Sequence, residues 1–588
     1  MSFFDDASLV FLPSGQAGKD GKAYSMKPTD GSGDFTFSRG SNLTSTRIDS
    51  NGLIEKGREN LLLQSNQFDT TWNNINITQT SGETGYDGSS DAWQSSFTAG
   101  STRTFGQSFS QTGVITISIY VKAGTHDFIQ FVTSTNIGAY VNFDISSSSA
   151  AKGTEGSGVI DSSIISVGSD WYRCSMSFNN TSSGTIYVWM INSATSSRAS
   201  NVSTAGSIYI QDAQLEIGLT STEYIESGAT TGKAGILEDS PRFDYSGGAS
   251  CPNLLLEGSR TNLVTQSEYL NGISWNAFIN SSIDTNATTS PEGLTNASLL
   301  KENLLNDTHA VIDDFSLTSG STYTISIFAK SNGVNRNLRL NDGGVGWGSG
   351  FTGKFDLTAG TATGGDIESM GNGWYRCSVT GTTNATTSRL IIYSTLGTAT
   401  SYQGDGSSGV FLYGLQIEEG SLTSYIPNHS GGSVTREADV NTLLNQSGVI
   451  GQTTGTILFD AYFDEADKVN FSISDSSANN FISIETTSSN EVTAKVEQGG
   501  STQATITTTT SFFAEGDRLK CAIAYDDRDM AFYINGTQVN TAVPNLIPAC
   551  DDIRFGNYDG SIKADQRVNR VLLFDTRISN GNLATLTS

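Results

Sequence analysis

A long internal duplication constrains the fold of this 588-residue chain more than any other feature of its sequence. Four segments recur in the same order with matching apolar and polar residues. The first copies span residues 60–68, 116–122, 168–175 and 208–216, and the second copies span 262–270, 324–330, 371–378 and 410–418. The spacing between matching residues drifts by only a few positions, which indicates shared strands joined by loops of different length. The duplication therefore predicts two domains of one fold rather than a solenoid.

The repeated segments have the residue pattern of antiparallel β-strands. In segment 116–122, Ile117, Ile119 and Val121 alternate with other residues, so one face of the segment is apolar. Glycine, serine, asparagine and aspartate separate the segments, which is typical of turns between short strands. About eight such segments per copy favour a two-sheet sandwich, a jelly roll, over residues 59–228 and again over 261–428.

A third region, residues 446–588, also shows strand patterns. Four segments predict strands, at residues 455–463, 518–525, 530–534 and 570–574. Asn535 and Gly536 both tolerate positive φ and predict a hairpin turn between paired strands. Residues 576–586 predict one short helical turn. The remaining ranges are interpreted as an N-terminal segment (1–58) and two linkers (229–260 and 429–445). The chain is thus predicted to be all-β, with two jelly rolls and one further antiparallel sandwich.

The charge and the cysteine content narrow the classes of partner. The formal net charge is -26 and the lysines and arginines are not clustered, so neither nucleic acid nor an anionic membrane surface is an expected partner. No apolar run of about 18 residues occurs, so we expect no membrane insertion. The first residues lack the pattern of a secretion signal. Five scattered cysteines indicate assembly in a reducing cytoplasm, although a disulfide between Cys521 and Cys550 is an alternative.

Several motifs resemble known protein families. The strand before Tyr525, residues 532–536 and residues 571–574 resemble concanavalin A-like laminin-G modules, and the repeated Trp-Tyr-Arg-Cys strand resembles carbohydrate-binding jelly rolls. The joints between domains resemble a family of tailed-bacteriophage structural proteins, at residues 7–13, 33–40, 46–55, 239–245, 251–257, 260–263, 424–427 and 434–439. In that family the opening segment runs directly into the Pro-Arg-Phe-Asp-Tyr segment. Here a whole jelly roll separates the two.

This resemblance implies a structural protein of a phage virion, such as a tail fibre or head fibre. The N-terminal segment would dock to other virion proteins, and the modules would present glycan-binding surfaces to the host cell. The resemblance also implies a homotrimer and a location on the released particle, although the sequence has no coiled-coil heptads. Two alternatives stay open: a capsid or tail decoration or spacer without a ligand, and a polysaccharide depolymerase.

Aromatic residues that occur in only one copy of the repeat are the candidate glycan contacts. Trp347 lies in a loop rich in glycine, and Trp93 lies near Tyr86. Sugar rings stack on such side chains when they are exposed. The duplicated tryptophans Trp171 and Trp374 alternate regularly with their neighbours, which favours packing inside the protein over sugar binding.

Calcium is the one cofactor that the sequence leaves open. Glu216 and Glu418 end the closing strands of the two repeats, where each would either pair with a neighbouring donor or help to hold Ca²⁺. Asp526 and Asp527 form an acidic turn that lacks the spacing of an EF-hand loop, so a solvated turn is the alternative interpretation.

The sequence favours a protein without enzymatic activity. Only three histidines occur, His126, His309 and His429, and each is expected at the surface without a partner motif. Counting does not exclude a catalytic pair of carboxylates, since Asp and Glu total 59. A depolymerase would need a β-helix or a barrel, however, and no coil repeat of about 20–30 residues is present.

Overall fold

Antiparallel β-strands make up nearly all the regular structure of the computed structural model, which describes residues 3–14, 21–40, 43–272, 275–348, 351–560 and 564–588. The helical elements of these ranges are short: α-helices Phe3–Asp6 and Asn580–Leu586, and 3-10 turns Ser246–Gly248, Leu270–Gly272 and Ser447–Val449. None of the described helices has the length and apolar character needed to cross a membrane. The strands form three two-sheet sandwiches, which confirms the predicted fold class.

Module 1 (residues 59–228) consists of two six-stranded sheets. The first contains, in spatial order, Ala151–Glu155, Tyr140–Asp144, Phe128–Thr133, Gly184–Met190, Thr104–Phe109 and Asn73–Ile75. The second contains Val159–Gly168, Trp171–Asn180, Gly113–Ala123, Gly206–Ile217, Ala92–Phe97 and Thr78–Glu83. Alternate residues of neighbouring strands in the second sheet, such as Ile117, Ile119 and Met176, point into the core between the sheets.

Module 2 (residues 261–428) repeats this arrangement. Its first sheet contains Ala277–Ile279, Asn306–Ser316, Thr387–Leu396, Arg336–Asn341, Thr352–Asp356 and Thr361–Thr363, with Ser401–Gln403 paired to Asn306–Ser316. Its second sheet contains Ser281–Thr289, Thr295–Glu302, Gly409–Glu419, Thr322–Asn332, Trp374–Thr382 and Asp366–Gly371.

The strand register shows that the two modules are copies of one structure. Cys174 lies opposite Ile119 in module 1, and Cys377 lies opposite Ile327 in module 2. The closing strand of each module has a register shift at the same place, next to Ser118 in one and next to Ser326 in the other. Loops of different length therefore connect the same set of strands, as the sequence predicts.

The third sandwich is built from three separate parts of the chain. Its first sheet contains Arg242–Asp244, Asn253–Leu256, Gln566–Phe574, Gly455–Phe463, Asp517–Asp526, Asp529–Ile534 and Thr537–Ala542, with Leu9–Phe11 paired to Gln566–Phe574. Its second sheet contains Lys22–Ala23, Phe35–Ser38, Val440–Leu443, Asp552–Arg554, Val469–Ser474, Phe481–Thr486, Val492–Gln498 and Ser501–Thr507. The predicted turn at Asn535 and Gly536 is confirmed, since both residues have positive φ between paired strands.

This arrangement differs from the predicted domain boundaries. Residues 1–58 were expected to form a separate docking segment and residues 229–260 and 429–445 two linkers, yet strands of all three ranges lie inside the sheets of the third sandwich. Leu9, Phe35 and Leu254 are fully buried in its core. Single strands of three or four residues carry too little periodicity to be assigned to a sheet from sequence. Modules 1 and 2 are thus insertions into one discontinuous sandwich.

Each module leaves and rejoins the sandwich at one place. Arg58–Asn60 pairs with Gly232–Ala234 at the base of module 1, and Arg260–Asn262 pairs with Val434–Arg436 at the base of module 2. A further two-stranded ladder, Thr46–Ile48 with Ile54–Lys56, precedes module 1 and is called the hairpin below.

A buried ionic network joins the points where the chain crosses between sandwich and modules. This junction network contains three arginines and two carboxylates: Arg39, Arg242, Arg436, Glu257 and Asp439. Asp439 accepts from Arg39 at 3.1 Å and also pairs with Arg242, while Glu257 pairs with Arg242 at 2.7 Å and with Arg436 at 2.9 Å. All five residues belong to the joint motifs of the sequence, so these motifs hold the domains together.

The five cysteines are all free, and four of them are buried. Cys521 and Cys550 form no disulfide, so the bridge left open by the sequence is absent between them. Burial raises the pKa of the Cys174 and Cys521 thiols, which keeps them uncharged.

Candidate functional site

Trp347 is buried, so the prediction that it forms an exposed platform for a sugar ring is wrong. Its side chain is 4% exposed and stacks on Phe351 with ring centroids 4.0 Å apart, and its indole N–H donates to the carbonyl of Arg389. The loop lies so close to the neighbouring strand that a Cβ at Gly346 would meet the Thr387 carbonyl at 2.0 Å. The glycines thus allow close packing rather than an open loop. Residues 349–350 of this loop lie outside the described residues.

Trp93 is also part of a core, whereas Tyr86 is not. Trp93 is 8% exposed, packs in the core of module 1 and donates its N–H to the Asn66 carbonyl. Tyr86 is half-buried and stacks on Tyr120, with centroids 3.8 Å apart. The prediction for Trp93 is therefore wrong, while the sugar contact of Tyr86 stays a prediction.

Glu216 and Glu418 attach the end of each module to its closing strand. Glu216 accepts from the side-chain N–H of Gln214 and from both the backbone N–H and the hydroxyl of Thr222, at 2.6–2.9 Å. In module 2, Glu418 accepts the same three hydrogen bonds from Gln416 and Thr423, at 2.6–3.0 Å. Both oxygens of each buried carboxylate are occupied by donors of the chain. The prediction that Glu216 and Glu418 are calcium ligands is therefore wrong.

The acidic turn of the third sandwich gives no calcium site either. The Asp527 N–H donates to the Asp526 carboxylate within an exposed turn, and Arg528 follows with a φ of 57°. No group of three or more His, Cys, Asp or Glu side chains that could hold a metal ion occurs among the described residues. Calcium needs about six to eight oxygen ligands, so two neighbouring aspartates are not enough.

Each module instead has an open groove at the same place in the fold. Groove 1, of about 660 Å³, is lined by Leu61, Leu63, Thr71, Asn73, Gly106, Gln107, Ser108, Phe109, Ser110, Gln111, Thr185 and Thr231. Groove 2, of about 740 Å³, is lined by Ser259, Arg260, Thr261, Leu263, Ser316, Leu317, Thr318, Tyr323, Thr386, Thr387 and Glu419.

Strand pairing shows that the two grooves are equivalent. In groove 1, Ser108 lies opposite Thr185, and in groove 2, Ser316 lies opposite Thr387 on the matching pair of strands. Leu61 and Leu263 occupy the same position of the repeated motif that begins each module. The duplicated chain has therefore kept a groove at one place in both copies.

The lining of the grooves suits a ligand that has hydroxyl groups and apolar faces. Apolar side chains form part of each lining, Leu61 and Phe109 in groove 1 and Leu263 and Leu317 in groove 2. Serine, threonine and amide side chains supply hydrogen-bond donors and acceptors around them. Groove 1 has no charged residue in its described lining, whereas groove 2 has Arg260, which pairs with Asp565, and Glu419.

Sequence reasoning missed both grooves. Their residues are small polar side chains at strand ends, a type that also fills ordinary turns. The recurrence of Ser108 as Ser316 and of Ser110 as Thr318 in the two copies is the signal that could have indicated them.

A buried pair of carboxylates lies between the hairpin and module 2. Lys56 Nζ lies 2.6 Å from Glu268 and 3.0 Å from Glu292, and the hydroxyls of Tyr425 and Tyr413 donate to the same two carboxylates. Burial would raise the pKa of Glu268, but Lys56 and His429 outweigh it and hold this pKa well below its ordinary value. Both carboxylates thus belong to a buried cluster of charged and hydroxyl groups that joins the hairpin to module 2.

The three histidines are buried, so the prediction that they lie at the surface is wrong. His126 is 7%, His309 0% and His429 6% exposed. His126 bonds to the carbonyl of Phe128, and His309 bonds to the carbonyl of Asn280 at 2.8 Å. The contact of His309 could not be predicted from short-range sequence patterns, because its partner Asn280 lies 29 residues away in the chain.

Comparison with known proteins gives only distant similarities. No protein-family model and no curated protein matches the sequence. The CBM40 module of the Ruminococcus gnavus IT-sialidase, bound to α2,3-sialyllactose, is 14% identical over 24% of this chain and 86% of its own, with a TM-score of 0.22. Domain 4 of AbnA, an arabinanase from Geobacillus stearothermophilus in complex with arabinotriose, is 12% identical over 29% of this chain and 83% of its own, with a TM-score of 0.22.

Laminin domains give a similar result. Domains LG4–5 of the mouse laminin α1 chain are 11% identical over 47% of this chain and 90% of their own, with a TM-score of 0.18. These identities and TM-scores are too low to transfer a function to this chain.

Proposed function

We propose that this chain is a saccharide-binding adhesion protein that holds a glycan in groove 1 and groove 2 and does not act on it chemically. The observation that carries the proposal is the occurrence of equivalent hydroxyl-lined grooves in both modules. The grooves lie on matching strand pairs and have stayed open although the loops of the two copies differ in length.

Two grooves on one chain suit ligands that repeat on a surface. Each groove is open and mostly lined by small polar side chains, so a single contact is weak. Two linked contacts act as one, and such linkage raises the apparent affinity by about 10²–10⁴-fold when the geometry allows both to form. A surface polysaccharide presents the required repeated units.

We further propose that the protein is displayed on a phage particle, as a tail fibre or head fibre. This finer assignment is supported by the joint motifs of the sequence, which resemble phage structural proteins and form the junction network. Other virion proteins and a homotrimeric assembly belong to the same proposal. A decoration or spacer protein without ligand is the competing function.

Binding of the full-length chain to a glycan array tests the proposal. Ser108→Arg and Ser316→Arg each place a long side chain in one groove at an exposed position. Thr537→Arg, on an exposed strand of the third sandwich, is the control with the same charge change. We expect binding by the parent chain and by the control, weaker binding by each single groove variant, and only a weak residual signal from the double variant. Equal binding by all five proteins would refute the role of the grooves, and no binding by the parent chain would favour the spacer.

A further inference from the structure

A separate cleft of about 750 Å³ lies where module 2, the hairpin and the third sandwich meet. Module 2 contributes its strands Asp366–Gly371 and Trp374–Thr382 on one side. Thr46, Ile48 and Ile54 of the hairpin form a second side, and Asp464, Glu515 and Arg567 of the sandwich form a third. Sites for small ligands often occur at such domain boundaries.

Arg376 is the unusual residue of this cleft. It is 9% exposed and lies over the ring of Phe328, 5.4 Å from the centroid. Its only hydrogen bond to a described residue is the one that its Nη2 donates to the Ser326 hydroxyl at 3.2 Å, and its Nε has no partner. It forms no ion pair with a carboxylate of the described ranges. Burial without a close counter-ion lowers its pKa.

The other arginines of the cleft are satisfied. Arg47 pairs with Glu55 at 2.7 Å, and Arg567 pairs with Asp464 at 2.8 Å. A guanidinium has five N–H donors, and a buried charged donor left without an acceptor destabilises the fold. Arg376 therefore presents unused donors to the cleft that a ligand can satisfy.

Carboxylates and apolar side chains accompany Arg376. Glu368 lies directly opposite Arg376 on the neighbouring strand, and Asp366 lies at the start of that strand; both are exposed. Met370 and Leu422 add apolar surface to the lining. A donor with acceptors beside it on the same side of the cleft can serve two adjacent hydroxyl groups, because each hydroxyl both accepts and donates.

We propose that this cleft is a third saccharide site, specific for an uncharged sugar bound through two adjacent hydroxyl groups. Arg376 donates to the hydroxyl oxygens, Glu368 and Asp366 accept the hydroxyl hydrogens, and Met370 and Leu422 contact the apolar face of the ring. An anionic sugar is disfavoured because Asp366, Glu368 and Glu515 surround the cleft and the chain carries a net charge of -26.

Module 1 supplies a matched control. Arg173 has the same place in the repeated strand, lies 5.1 Å from the centroid of Tyr120 and donates to the Ser118 hydroxyl at 2.9 Å. Ile165 occupies the position opposite Arg173 that Glu368 occupies opposite Arg376. Arg173 thus has the same structural contacts without the facing carboxylate.

The test uses a glycan array of neutral and sialylated oligosaccharides, with the Ser108→Arg and Ser316→Arg double variant as the background. In this background the remaining signal reports the cleft and not the grooves. We expect the double variant to keep weak binding to neutral oligosaccharides. Adding Arg376→Gln should reduce that signal at least tenfold, and adding Arg173→Gln should leave it unchanged.

A second variant distinguishes a loss of binding from misfolding. Glu368→Gln alters an exposed residue, should leave the melting temperature unchanged, and should also reduce the residual signal. The proposal is overturned if the double variant binds no neutral sugar, if Arg173→Gln and Arg376→Gln act alike, or if the residual signal is confined to sialylated sugars. The proposed function of the grooves fails separately, when the double variant binds as strongly as the parent chain.

Discussion

At the scale of single residues, the charged side chains of the joints act together although they lie far apart in sequence. Arg39, Arg242 and Asp439 come from three different motifs, yet all three are buried in the junction network. Removal of one member leaves the others buried without a counter-charge, which costs more than the intact pair contributes. The network explains why these short motifs are more distinctive in the sequence than the strands around them.

Asp439→Asn tests whether the junction network stabilises the fold. The variant leaves Arg39 and Arg242 without one counter-charge, so we expect the free energy of unfolding of the third sandwich to fall by about 3–5 kcal/mol. Asp526→Asn makes the same chemical change in an exposed turn and should alter it by less than about 0.5 kcal/mol. Chemical denaturation of both variants, followed by circular dichroism, measures the difference. Equal stability of the two variants would show that the network is not stabilising.

Asp212 makes the stability of module 1 depend on pH. Burial raises its pKa to about 7, with Asp91 and Asp87 adding to the effect and the hydroxyl of Tyr86 opposing it. Between about pH 4 and pH 7 the folded module keeps this proton while the unfolded chain has lost it, so module 1 loses stability as the pH rises through this window. Above about pH 7 the contribution no longer changes.

Asp212→Asn should remove this part of the pH dependence. The amide keeps an oxygen that accepts from Tyr86 but does not titrate. The melting temperature of the parent chain should fall more between about pH 4.5 and pH 8 than that of the variant, as measured by scanning calorimetry. Parallel pH profiles of the two proteins would contradict the assignment.

At the scale of elements, strands with strong periodicity were predictable and short ones were not. The Trp-Tyr-Arg-Cys strand was assigned from its alternation, and the structure places Cys174 in the core and Trp171 in a cluster on the other face of the sheet. The strands Leu9–Phe11 and Phe35–Ser38 escaped prediction because their partners lie hundreds of residues away. The grooves escaped prediction for a related reason, since each is lined by segments that lie far apart in the sequence.

Phe35→Ala tests whether the N-terminal strands belong to the sandwich. Phe35 is fully buried against Phe11 and Phe555, so its truncation should lower the free energy of unfolding by about 3–5 kcal/mol. Phe4→Ala, at a position that is 41% exposed, is the control and should have a small effect. Thermal unfolding of the full-length variants makes the comparison. A negligible effect of Phe35→Ala would mean that the segment is separate from the sandwich.

At the scale of the whole molecule, one discontinuous sandwich carries two inserted modules. Each module begins and ends in neighbouring strands, so it can be added or lost without disturbing the sheets that hold it. This accounts for the jelly roll that separates the opening segment from the Pro-Arg-Phe-Asp-Tyr segment, because both of these segments contain strands of the sandwich. The insertion also places two equivalent grooves on one rigid support.

Excision of module 1 tests the modular arrangement. Replacement of residues 59–233 by a short glycine-serine turn should leave a folded protein, because the ends of the excised part are adjacent in the ladder between Arg58–Asn60 and Gly232–Ala234. We expect the shortened chain to keep the unfolding transition of the third sandwich, as measured by scanning calorimetry. Loss of all cooperative unfolding would contradict the description of module 1 as an insertion.

If the two grooves hold one glycan-coated surface together, the chain dissociates from that surface slowly. Surface plasmon resonance with the array's strongest ligand would compare the parent chain, Ser108→Arg, Ser316→Arg and Thr537→Arg. We expect either groove variant to dissociate about 100-fold faster than the parent chain, while Thr537→Arg dissociates at the parent rate. Identical dissociation of all four proteins would contradict this expectation.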